Sequence, residues 1–189
     1  DLETESCDAI LQAWYPGQEG GTAVADVIFG DYNPGGKLSV TFYKNDAQLP
    51  DYEDYSMKGR TYRYFNDALF PFGYGLSYTT FEIGEATMQG TELINIPVTN
   101  TGKCAGTETV QVYIRDLSDK EGPLKSLRGF KKVQLKPGQT TTATIALDKK
   151  SFEFWDAETN TMRTKSGSYE ILYGNSSLDK DLKKIIVNL

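Results

Sequence analysis

The spacing of short apolar segments after Phe81 constrains this chain more than any other feature. Leu93–Thr99, Thr109–Arg115, Lys125–Leu135, Thr140–Leu147, Phe152–Trp155, Tyr169–Tyr173 and Lys184–Val187 read as strands, most of them beginning 10–17 residues apart, with no convincing helix between them. Turn residues punctuate the series at Asn100-Thr101-Gly102, Pro137-Gly138 and Gly174-Asn175. A run of short strands with turns at such intervals folds as an antiparallel β-sandwich.

The Cys…Trp…Cys spacing of antibody domains is missing, so of the immunoglobulin-like sandwiches the fibronectin type III-like variety is expected, over residues 81–189. That span is long enough to fold by itself. Residues 1–43 read differently. Ala9–Tyr15 has strand length, Gly17–Gly21 forms a glycine turn, and Thr22–Phe29 places apolar residues at 24, 27 and 28 before a stop at Gly30. After Asn33-Pro34-Gly35-Gly36, Leu38–Phe42 alternates as a strand. Strand, helix and strand make one βαβ unit, which cannot cover both faces of a parallel sheet. The expected fold class is therefore mainly β, with an incomplete α/β (βαβ) segment in front of the sandwich. Residues 44–80 lie between the two, with little periodicity and many rings, among them Tyr52, Tyr55, Tyr62, Tyr64, Phe65, Phe70, Phe72, Tyr74 and Tyr78. They are expected to form a long ordered loop anchored by aromatic packing.

Composition removes whole classes of chemistry. Among 189 residues there is no histidine, so this chain cannot build a Ser/His/Asp or Cys/His arrangement or an imidazole metal site. Lys+Arg 20 against Asp+Glu 26 gives a net charge of −6 and a pI near 4.8, the opposite of a phosphate-backbone binder, so nucleic acid is not an expected partner. No apolar run approaches the roughly 20 residues of a membrane helix, and no membrane partner is expected. The segment Asp1–Glu5 is acidic where a secretory leader would be basic. Cys7 and Cys104 lie too far apart for a metal knuckle and are expected as free thiols.

Several segments invite a functional reading and a plainer one. Gly17–Gly21 precedes a helix as phosphate cradles do, but its spacing fits neither the dinucleotide fingerprint nor the P-loop, and Glu19 would repel an anion; a tight turn is preferred. Asp51, Glu53 and Asp54 cluster, and paired carboxylates are what glycoside hydrolysis uses. Such pairs flank a sugar from distant segments, so a solvated acidic loop is preferred. Gly59-Arg60-Thr61-Tyr62-Arg63-Tyr64-Phe65 is the most suggestive stretch. Arg60, Tyr62 and Arg63 are candidate substrate-binding residues, able to hydrogen-bond sugar hydroxyls and stack on a pyranose, or alternatively to brace an interface. Pro71–Tyr78 reads as a packed junction, and the sequon Asn175-Ser176-Ser177 as a turn.

These motifs together resemble the C-terminal part of glycoside hydrolase family 3: Ala13-Trp14-Tyr15-Pro16-Gly17-Gln18-Glu19-Gly20-Gly21, Gly30–Leu38, Gly59–Tyr64 and Pro71–Tyr78, followed by Val98–Gly102, Gly106–Tyr113, Leu127–Val133 and Leu135–Gly138. The resemblance implies a retaining β-glycosidase whose barrel and earlier sandwich-domain segments hold the nucleophile and acid/base; the Gly59–Phe65 form is most similar to the β-xylosidase-like branch, with β-glucosidases and α-arabinofuranosidases as near neighbours. Carried over to this chain it assigns no catalytic residue, no metal and no cofactor. As partners it implies an N-terminal barrel, the rest of an α/β sandwich domain and an oligosaccharide, and it places the family often in the periplasm or outside the cell. The alternative is a stand-alone carbohydrate- or protein-binding β-sandwich module.

Overall fold

The computed structural model describes residues 7–189; the acidic segment Asp1–Glu5 lies outside the described residues. Its architecture follows from strand alternation. In β3 (Leu93–Asn100) every second residue, Ile94, Ile96, Val98 and Asn100, is buried, so one face meets the core and the other meets solvent. β1 (Phe81–Ile83) and β2 (Thr87–Gln89) pair with one edge of β3, and β6 (Thr140–Ala146) pairs with the other. The second sheet has the order β10-β9-β4-β5, built from Leu182–Asn188, Ser168–Gly174, Gly106–Asp116 and Ser126–Leu135, all antiparallel. Val110, Val112 and Ile114 of β4 and Tyr169, Ile171 and Tyr173 of β9 meet Ile94, Ile96, Val98, Ala143 and Ile145 between the sheets. This is the fibronectin type III-like sandwich expected for the chain's second half.

The seven expected strands are present with shifted ends; β4 runs further than Thr109–Arg115 at both ends. β1 and β2 are additional, as is β8 (Thr161–Arg163), the hairpin partner of β7 (Phe154–Asp156). Phe152, the first residue of the expected Phe152–Trp155 strand, belongs to a 3-10 turn over Lys149–Phe152, where the Asp148 carboxylate accepts from Ser151 N–H.

The hairpin is held by one acid. Asp156 is almost fully buried, accepts from Thr159 Oγ1 at 2.7 Å, and pairs with Arg163 at 2.6 Å and Lys165 at 3.0 Å. The Thr159 hydroxyl, then the Lys165 and Arg163 cations, hold its pKa down to about 2. A carboxyl whose folded pKa lies below its unfolded value stabilises the fold above the unfolded pKa, and that stability disappears as pH falls through the folded one. The Tm advantage of the native chain over Asp156→Asn should therefore be full above about pH 4 and vanish by about pH 2. A difference constant down to pH 2 would show that the acid carries no folding linkage.

Of the βαβ unit only the helix forms. α1 (Gly20–Phe29) stops at Gly30, whose φ of +85° lets its N–H reach Val27 O. Ala9–Tyr15 forms no strand: its neighbours in a parallel sheet would have to come from outside this chain, and without a partner no ladder exists. Leu38–Phe42 is a correction too. Its backbone bonds go to the aromatic loop instead, Leu38 N to Tyr74 O at 2.8 Å, Gly73 N to Leu38 O at 2.7 Å and Phe42 N to Phe70 O at 2.9 Å, with a single antiparallel bridge at Phe42 and Phe70. Pro71 has no N–H to give and Gly73 turns the chain at φ +77°, so the ladder stops there. No residue of α1 is buried, and Ile28 and Phe29 stand open to solvent. No helix among the described residues is long and apolar enough to cross a membrane.

Candidate functional site

The aromatic loop lies on the outer face of β4. In a sheet with one solvated face, Thr109, Gln111 and Tyr113 would be exposed; here all three are buried, as are the core residues between them. Gln111 donates from Nε2 to Gly73 O at 3.0 Å and Asn175 O at 2.9 Å, and its Oε1 accepts from Tyr113 Oη at 2.5 Å. Burial pushes the Tyr113 phenol pKa up, which keeps it a neutral donor. A Cβ at Gly73 would collide with the Gln111 amide, so glycine is required there for space as well as for φ. Nearby, Lys37 pairs with the buried Glu108 at 2.8 Å and reaches Gly75 O at 3.1 Å.

Arg60, Tyr62 and Arg63 sit in and beside α2 (Thr61–Tyr64), a single helical turn. Gly59 (φ +72°) and Thr61 (φ +54°) are both left-handed and bracket Arg60, so that it and Tyr62 leave the backbone in different directions. Arg60 faces the acidic loop and binds backbone carbonyls: Nε donates to Ser56 O at 3.0 Å, and one terminal nitrogen to Asp54 O at 2.5 Å and Asp51 O at 3.4 Å. Tyr62 points inward. Its ring stacks on Phe72 at 4.3 Å between centroids and meets Tyr113 edge-on at 5.6 Å, while its hydroxyl accepts from Leu127 N at 3.0 Å. Arg63 lies over the Tyr64 ring at 5.8 Å, and its carbonyl accepts from Leu124 N at 2.7 Å.

Arg63 faces Arg128, the extra residue of a bulge where β5 changes register opposite Val112 and Tyr113. Arg128 donates to Glu153 O at 2.5 Å and lies over the Phe154 ring at 4.7 Å. Burial first, and then the charge of Arg63, lower its pKa. The Nε atoms of both arginines are buried without a hydrogen-bond partner among the described residues. A separate cavity of about 310 Å³, lined among others by Asn66, Arg115, Lys125 and Lys184, has its charges largely matched, Lys125 by Asp179 and Lys184 by Glu170 at 3.4 Å.

Among the described residues, no acid is arranged as a general acid. Asp51, Glu53 and Asp54 are exposed and serve the loop: Asp51 Oδ1 accepts from Glu53 N at 2.9 Å and Asp54 Oδ1 from Ser56 N at 2.8 Å. Glu19 caps nothing with its side chain at the start of α1. The carboxyl groups with shifted pKa values, Asp54, Glu85 and Asp156, are all held low by hydrogen bonds or cations, whereas a general acid near neutral pH needs its pKa raised.

A model of the glycosyl hydrolase family 3 C-terminal domain matches residues 1–78, and a model of the fibronectin type III-like domain matches residues 108–177. A xylan 1,4-beta-xylosidase of Xylanibacter ruminicola is 74% identical over 192 residues, covering 99% of this chain and 22% of the relative. A beta-xylosidase of Formosa agariphila is 40% identical over 195 residues, covering 96% and 27%. Among solved structures, DesR, a beta-glucosidase from Streptomyces venezuelae in complex with D-glucose, superposes with a TM-score of 0.82 at 34% identity, over 93% of this chain and 25% of that one. The chain thus spans about a quarter of the length of the relatives it matches.

Proposed function

The chain belongs to glycoside hydrolase family 3, within that family's C-terminal region, and from this premise we propose that the protein it is part of removes terminal β-linked sugars from oligosaccharides, xylosyl units first and glucosyl units second. The observation that carries the sugar is the 74% identity, across 99% of the chain, to a relative named as a xylan 1,4-beta-xylosidase. The catalytic carboxylates belong to barrel and sandwich segments outside residues 1–189, in keeping with the paired or solvated state of the acids within them.

In this reading the chain's part is positional. Its exposed apolar residues on the N-terminal segment and α1, Ile10, Leu11, Ile28 and Phe29, are the face on which the rest of the α/β domain packs. Arg60 and Tyr62 brace the loop over residues 44–80, Arg60 by binding three carbonyls and Tyr62 by packing between Phe72 and Tyr113.

The test is kinetic. The full-length protein should hydrolyse nitrophenyl-β-xyloside with a higher kcat/KM than nitrophenyl-β-glucoside, and residues 1–189 alone should turn over neither. A preference for glucoside would overturn the sugar, and turnover by the isolated chain would overturn the placement of the chemistry. A full-length protein that hydrolyses neither would leave the alternative of a binding module.

A further inference from the structure

Several cations of this molecule have an acid beside them: Lys37 pairs with Glu108, Lys125 with Asp179, and Arg163 and Lys165 with Asp156. Arg63 and Arg128 do not. Both are half-buried, and neither forms an ion pair with an acid of the described residues. Glu153 and Asp148 act on Arg128 only at a distance. Glu153 gives it a backbone carbonyl, at 2.5 Å, and the Asp148 carboxylate is taken up by Ser151 N and Oγ at 2.9 and 3.0 Å.

The two guanidiniums are nevertheless brought to one place. Tyr62 Oη accepts from Leu127 N at 3.0 Å, which ties the residue before Arg63 to the residue before Arg128. Arg128 lies over the Phe154 ring at 4.7 Å, and Arg63 over the Tyr64 ring at 5.8 Å. The Nε atom of each is buried and donates to nothing among the described residues. Like charges at half-buried sites repel, and a desolvated donor without an acceptor is a further cost, so the pair is incomplete without an anion. Beside Arg128, a groove of about 530 Å³ runs between β5 and β6, the outer strands of the two sheets. Leu127, Phe130, Ile145 and Ala146 supply apolar walls, Arg128 and Lys131 supply charge, and no acid lines it. Its floor is tight, since a Cβ at Gly129 would strike Ile145. In a chain of net charge −6, a groove with apolar walls and cations alone is complementary to something acidic and partly apolar.

We propose that Arg63 and Arg128 receive a carboxylate from a segment of the same protein outside residues 1–189, whose apolar side chains lie in the groove between β5 and β6. Charge and length argue for this occupant. A carboxylate is the side chain that guanidiniums bind through paired N–H bonds, and the relatives that this chain matches are about four times its length. A dissolved anion would neutralise the pair but leave the apolar walls wet. With the acid in place, two repelling cations become a three-charge lock that fastens the sandwich to the rest of the protein. The proposal rests on the glycosidase reading above only in that the protein extends beyond residues 1–189.

The experiment uses the full-length protein and reads no activity, so its failure and that of the glycosidase reading are distinguishable. In the Arg63→Lys and Arg128→Lys variants, a carbodiimide couples the introduced amine, with loss of water, to a carboxylate in contact with it. Peptide mass mapping should find, in at least one variant, an amide to an Asp or Glu outside residues 1–189. Links only to acids within residues 1–189, Glu153 and Asp148 included, overturn the proposal, and so does the absence of any link in variants with the native Tm. If neither lysine variant reaches that Tm, hydrogen exchange decides. In Arg63→Gln/Arg128→Gln, the amides of Leu127–Lys131 and those of one segment outside residues 1–189 should exchange together roughly tenfold faster or more, with the β4–β9 ladder unchanged. Equal exchange, or a rise at β5 alone, overturns the docking. Protection of β5 that appears only when malonate is added at constant ionic strength would assign the pair to a dissolved anion and overturns it too.

Discussion

Replacing Tyr62 by alanine should lower the stability of residues 1–189 by about 2–4 kcal/mol, or a Tm drop of roughly 5–15 °C for a chain of this size. The side chain fills the space between Phe72 of the loop and Tyr113 of β4, so truncation leaves a cavity with aromatic walls at the seam between them. It also removes the acceptor for Leu127 N–H, which lies at the bulged end of β5. Tyr62→Phe separates the two effects. It keeps the stacking and leaves only the amide unpaired, a loss of about 1–2 kcal/mol. Thermal melts followed by near-UV dichroism would measure both. A Tyr62→Ala melt within a degree of the native one would mean that the loop is not bound to the sheet through this ring.

An effect of similar size is expected at Asn100. This side chain is fully buried at the end of β3, and all of its hydrogen-bonding capacity is directed at separate pieces of chain. Its Oδ1 accepts from Thr79 Oγ1 at 2.7 Å and Gly102 N at 3.0 Å, and its Nδ2 donates to Cys104 O at 2.9 Å and Leu135 O at 3.0 Å. Asn100→Ala strands four polar groups in the interior, each worth about 1–3 kcal/mol if water does not reach it, for a net loss of about 3–5 kcal/mol after partial relaxation. Asn100→Asp should be at least as harmful at neutral pH, because it aims a buried charge at the Cys104 and Leu135 carbonyls in place of two donors. Chemical denaturation of the three proteins measures the order. Equal midpoints for native and Asn100→Ala would refute the role given to this residue.

Neither residue's role is read from sequence with equal ease. Leu93–Thr99 announces its strand because alternate residues face opposite environments, and the structure buries Ile94, Ile96 and Val98 accordingly. β4 is harder to read: the loop covers its outer face, so burial there does not alternate and the strand is continuous from Gly106 to Asp116. Thr87–Gln89 and Thr161–Arg163 are three-residue pairings with mostly exposed side chains, too short and too polar to stand out. The Gly59–Phe65 stretch is conspicuous for its arginines and rings, but which of them face the sheet depends on two left-handed residues, one of them the β-branched Thr61, which local composition does not disclose. Tyr52 and Tyr55 look in sequence like two more anchors of an aromatic loop. Only the fold distinguishes the rings that are packed, such as Tyr62 and Phe72, from the two that are left in water.

The loop on β4 also fixes what can be cut from this protein and joined to another. Fibronectin-type units are commonly thought of as beads, separable wherever the linker meets the first strand. A cut at Phe81 here would uncover Gln111 and Tyr113, take Gly73 O from the Gln111 amide, and remove the lysine opposite Glu108. The bead and its string pack as one solid. A graft that respects this packing begins near Asn33, where the side chain ties Ala105, Ser77 and Tyr78 together, well before the first strand.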